Sequence, residues 1–109
     1  MTKISVGICE YPSALKSAVY GLEEMFLLAN RVCREQGIDV IFEPMIVQRT
    51  DQIKDSFTVV LLPPASIGDY YLAPERDFIE WLKDQYAKGA VLSSACAGVF
   101  ILAVTRLIN

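Results

Sequence analysis

Residues 57–63, FTVVLLP, set the terms on which this chain can fold. A β-branched and aliphatic run without polar alternation is the pattern of a central parallel strand, buried on both faces. Such a strand needs a helical layer on either side, and the flanking sequence supplies helices in alternation with further strands. ISVGIC (4–9) reads as a buried strand ended by EYPS. From Ser17 to Gln36, Leu22, Met25, Phe26, Ala29, Val32 and Cys33 recur at three- and four-residue spacing, which predicts one helix face, with Gly37 as its C-terminal cap. Glu23, Glu24, Arg31, Arg34 and Glu35 are expected on the solvated side.

DVIFEPMIV (39–47) is a second strand, where Pro44 marks an edge or a bulge. After the polar connection QRTDQIKDS and the strand 57–63, a loop runs over 64–74. Pro74 then opens a helix to about Lys88, with Phe78, Ile79, Leu82 and Tyr86 inward and Gly89 as its stop. AVLSS (90–94) is a fourth strand, and AGVFILAVTRLI is apolar almost all round, the mark of a helix buried on most sides. The alternation predicts an α/β fold: a flavodoxin-like, doubly wound parallel sheet in a three-layer α/β/α arrangement.

Composition narrows the function. With 53% hydrophobic and 21% charged residues the chain of 109 residues can bury a real core as one domain or part of one. A net charge of −3 and no Lys/Arg cluster argue against direct contact with nucleic acid. No secretion signal is visible, and GAVLSSACAGVFILAV falls short of a membrane span. Three cysteines without framework spacing fit reduced thiols, hence a cytoplasmic protein. The chain has no histidine, which removes the commonest general base and metal ligand; no metal site and no cofactor are expected.

In an open α/β sheet, ligands bind beyond the carboxyl ends of the strands. Cys9-Glu10, PPASIG (63–68) and SACAG (94–98) all fall on that edge. A strand-to-helix turn centred on Cys96 would expose its sulfur, and the positive end of the following helix would favour the thiolate. Ala95, Ala97 and Gly98 suit a tight turn, with the Ala97 amide directed at a developing oxyanion. The alternative is a buried cysteine placed where a small residue was needed. Cys9 is either core or a redox partner of Cys96, while Cys33 packs on the buried face of the first helix. Tyr70 or Tyr71 could line the crevice, and Trp81 covers the sheet or a subunit contact.

The stretches VVLLPPASIGDYY and FIEWLKDQYAKGAVLSSACAGVFILA resemble the ThiJ/PfpI superfamily of the class I glutamine amidotransferase-like fold. The opening VGICEYPSALKSAVYGLEEMFLLANRV is similar to one branch of it, the amidase-like sensory domains of AraC-type transcriptional regulators. The resemblance spans Ile4 to Asn109 and departs from the enzymes in three ways. Their acidic side chain near the start of the first helix is missing from 11–21, where Ala18 holds its place; Glu10, Glu23 or Glu24 could substitute from an offset position. A family turn with paired glycines reads Pro64-Ala65, and Pro64 has no N–H to donate. Finally, the chain stops just after the elbow helix, so the resemblance implies an incomplete domain over 1–109, with the regulators' C-terminal helix-turn-helix domain absent.

The expectation is therefore a non-catalytic ligand-sensing and dimerisation domain of an AraC-family regulator, acting as a homodimer and reaching DNA only through the missing domain. A small-molecule effector would sit near Cys96, Ala97, Ala65, Ser66 and Glu10. The runner-up is a Cys-dependent enzyme of the superfamily, a hydrolase, hydratase or glyoxalase/deglycase, with Cys96 as nucleophile, the Ala97 amide as oxyanion donor and Glu10 as acid.

Overall fold

A computed structural model describes residues 1–53, 55–65, 73–94 and 105. Four parallel strands, β1 (Thr2–Cys9), β2 (Val40–Val47), β3 (Val59–Leu62) and β4 (Val91–Ser94), form one sheet in the order β2-β1-β3-β4. Helix α1 (Lys16–Gln36) follows β1 and helix α2 (Arg76–Ala87) follows β3. The chain moves outward from β1 to β2 and then crosses to β3, so the strand order reverses between β1 and β3. That is the doubly wound topology the alternation predicts. Pro44 causes no bulge: its strand is the edge strand, and it sits in register opposite Val6. Gly37 ends α1 in the left-handed conformation at φ 71°.

Register assigns the two faces. Ile4, Val6 and Ile8 share theirs with Phe42, Pro44 and Ile46, and Phe42 stacks against Phe26 of α1 at a centroid distance of 5.3 Å. Gly7 and Cys9 share the opposite face with Val60, and there Phe57 lies over Gly7 and against Trp81 of α2. Helices thus cover both sides. Trp81 covers the sheet as expected, with its indole N–H donating to the Ile53 carbonyl at 3.3 Å.

Three differences from the sequence reading concern coverage. β3 is closed on the α2 face, where Val60 and Leu62 are buried, but Val59 and Leu61 on the α1 face are half-buried. Among the described residues, the cause is the placement of α1 over β1 and β2 rather than over the β3–β4 half of that face. For the same reason Met25 and Val32 are exposed, and the inward side of α1 is carried by Val19, Leu22, Phe26 and a half-buried Cys33. On α2, Tyr86 is exposed and Gln85 is buried in its stead. Gln85 accepts from the Phe57 N–H and donates to the Asp55 carbonyl, both at 2.9 Å, and so satisfies the chain entering β3. Thr105, within the last apolar run, is helical and buried.

Candidate functional site

The reversal between β1 and β3 would open a crevice at their carboxyl ends. Here a strap, residues 10–15, crosses it. The Tyr11 hydroxyl donates to the Pro63 carbonyl, the Leu15 N–H donates to Pro64 at 2.7 Å, and Ala14 forms a β-bridge with Ala65. Tyr11 is buried, with its ring 6.4 Å from that of Phe78. Ser13 turns the strap at φ 68°, a left-handed conformation that costs a serine about 1 kcal/mol. The strap ties the loops after β1 and β3 together and leaves separate spaces on its two sides.

On the α1 side lies an apolar cavity of about 430 Å³. Ala18, Gly21, Leu22 and Met25 of α1 form one wall; Leu61 to Pro64 and Ser93-Ser94 form the other. None of these side chains is ionisable, and among the described lining residues the serine hydroxyls are the polar side-chain groups. The volume falls in the range of small-molecule sites, roughly 300–1,000 Å³. On the α2 side a polar cleft is lined by Glu10, Tyr11, Gln48 to Asp51, Glu75 and Asp77.

The sequence-predicted site residues divide between these places. Cys96 and Ala97 lie outside the described residues, as do Ser66, Tyr70 and Tyr71; Cys96 follows Ser94, a lining residue of the apolar cavity, by two positions. Ala65 is held in the bridge to Ala14. Glu10 faces the polar cleft, where its carboxylate accepts from the Gln48 side-chain amide. Ala18 does line the apolar cavity, so the position where the resembled enzymes carry an acid is here a methyl group facing that space. Sequence reasoning missed Gly21, Leu22, Met25 and the two serines as lining; the available signal was the helix residues' spacing of one or two turns from Ala18 and the serines' proximity to Cys96 along the chain.

Cys9 is fully buried, and burial pushes its thiol well above the ordinary range. Thiolate chemistry is therefore suppressed at the carboxyl end of β1. Among the described residues no three His, Cys, Asp or Glu side chains come together as a metal site. Among the same residues no helix is long and apolar enough to cross a membrane.

Comparison with known proteins places the fold. A crystal structure of a candidate transcriptional regulator from Vibrio parahaemolyticus matches with a TM-score of 0.71 over 97% of this chain, at 17% identity. The chain spans 63% of that protein. No protein-family model matches the chain, and no curated protein matches it. The α/β architecture of this chain is thus shared with a protein described as a regulator.

Proposed function

We propose that the chain is a ligand-sensing domain of an AraC-type transcriptional regulator, built on the ThiJ/PfpI architecture without its catalysis and acting in the cytoplasm. The observation that carries this reading is the apolar cavity lined by Ser93-Ser94 at the end of β4, with Ala18 where the resembled enzymes carry an acid. Among the described residues its wall carries no ionisable side chain, which suits retention of a small molecule and supplies a thiol with no general base. The fold shared with a candidate regulator supports the same reading. The domain works as a homodimer; effector occupancy shifts how two protomers present a DNA-binding domain, which requires different affinities in two states.

The Cys-dependent enzyme remains the second reading, favoured by the small-residue sequence SACAG, which begins at Ser94, the last residue of β4. Alkylation of Cys96 by iodoacetamide against pH, in a Cys9→Ser and Cys33→Ser background, separates the two. A sensor shows a thiol titrating at or above ~8.5, or one that does not react in the folded protein. A thiol titrating one unit or more below that value overturns the non-catalytic reading.

A further inference from the structure

The strap over the functional edge is clasped and strained at once. Residues 11–14 form a tight turn, closed by the Ala14 N–H on the Tyr11 carbonyl at 2.9 Å, with Pro12 second and Ser13 third. Proline in second place and a positive φ in third is the pattern of a type II turn, whose third place favours glycine; here Ser13 takes it at φ 68°. Beyond the turn Leu15 starts α1, its carbonyl accepting from the Ala18 and Val19 N–H groups at 3.0 and 3.1 Å. The clasp therefore joins the two walls of the apolar cavity at one end. Leu15, one turn before Ala18, donates to Pro64; Ala14 bridges to Ala65; the Tyr11 hydroxyl donates to Pro63. Pro63 and Pro64 line the apolar cavity, whereas Tyr11 lines the polar cleft on the other side.

We propose that the strap is a latch on the apolar cavity: it releases as a unit from Pro63, Pro64 and Ala65 while the sheet stays folded, and an occupant of the cavity holds it shut. The part played by the occupant rests on the effector-site reading above. The clasp is made at Tyr11, Ala14 and Leu15, and the conformation of Ser13 works against it. By contrast β1 is paired with β2 residue by residue from Thr2 to Cys9, so release of the strap is a smaller event than unfolding of the sheet. Release frees the first turn of α1 from Pro64, and the walls are then no longer fixed to each other. A ligand spanning Ala18 to Leu22 on one side and Leu61 to Pro64 on the other is therefore bound more tightly with the clasp closed. That differential affinity is what a sensor requires. Release also draws Tyr11 from beside Phe78, so the state of the apolar cavity reaches the polar cleft.

The test is native-state hydrogen exchange of the whole chain, read at the Ala14 and Leu15 amides and at Ile8 inside the sheet. Ala14 and Leu15 exchange through one opening, about tenfold or more ahead of Ile8. Gln85→Leu, which acts at the entry to β3, speeds Ile8 and leaves the strap pair unchanged. Tyr11→Phe speeds the pair about fivefold. Ser13→Gly slows it about threefold, while Ser13→Ala, which loses the same hydroxyl but keeps the strain, does not. Strap amides that follow Ile8 in Gln85→Leu open only with the whole fold, and that result overturns the latch. The occupant is probed with benzyl alcohol, a neutral ring with one hydroxyl, matched to an apolar wall that carries Ser93 and Ser94. A latch held shut by its occupant protects Leu15 by the same factor as Ile8 as the probe saturates. Protection of Ile8 with Leu15 unchanged overturns the coupling, because the cavity is then filled whether or not the strap is clasped. Protection of neither overturns the effector site on which the coupling rests, while local opening stands or falls on the variants.

Discussion

Gly7 is small because a ring lies over it. A Cβ added there would stand 2.9 Å from Cδ2 and 3.0 Å from Cε2 of Phe57. Phe57 cannot retreat, because Gln85 holds its N–H and Trp81 backs its ring at 6.3 Å. Gly7→Ala is therefore expected to lower stability by about 1–3 kcal/mol, read as a lower urea midpoint with unchanged m, and Phe57→Leu in the same chain should return part of it. Cys9, two residues on, carries a pH dependence. Its folded thiol stays protonated while the unfolded one ionises near ~8.5. Above that pH the unfolded chain binds fewer protons than the folded one, so stability is full below pH ~8 and falls as pH rises. Urea titrations should show the wild type losing about 1 kcal/mol more than Cys9→Ala between pH 8.5 and 9.5.

At the scale of elements, hydrophobic runs and periods located the four described strands and both described α-helices, because burial against a sheet imposes them on the sequence. They assigned Leu22, Phe26, Phe78, Ile79 and Leu82 inward correctly but not every inward residue of α1 and α2. Both helices have apolar arcs wider than the surface they cover, so Met25, Val32 and Tyr86 satisfy the period without being buried. Two amides lay outside any period. Asn30 grips the edge strand, accepting from the Phe42 N–H at 2.7 Å and donating to its carbonyl at 2.8 Å; Gln85 does the corresponding work for the entry to β3. The two sites differ in access to water, and this separates their expected costs. Gln85→Leu strands a buried N–H and should cost about 2–3 kcal/mol by calorimetry. Asn30→Ala leaves groups that water can reach, so about 1 kcal/mol is expected, with faster hydrogen exchange at the Phe42 amide.

Across the whole molecule, the doubly wound order was legible because a continuous apolar β3 between two helical patterns admits few topologies. The division of the functional edge was not, since it depends on Tyr11 meeting Pro63 across 52 positions of sequence. That contact sets Glu10 in the polar cleft, apart from the apolar cavity beside Ser93-Ser94. The character of the cavity can be reversed at one position. Ala18 lies in the first turn of α1, which contains no acidic residue, so a carboxylate there is favoured by the helix dipole and should leave the fold intact. The same carboxylate puts a charge into the wall of an apolar site, and an uncharged effector must then desolvate it. For the wild type, an effector at about 100 times its Kd should stabilise the domain by about 2.7 kcal/mol, a rise of several degrees in Tm. Ala18→Asp should keep the unliganded Tm within about 2 °C and abolish that rise. An effector that shifts both proteins equally binds elsewhere, and the polar cleft beside Glu10 becomes the site to examine.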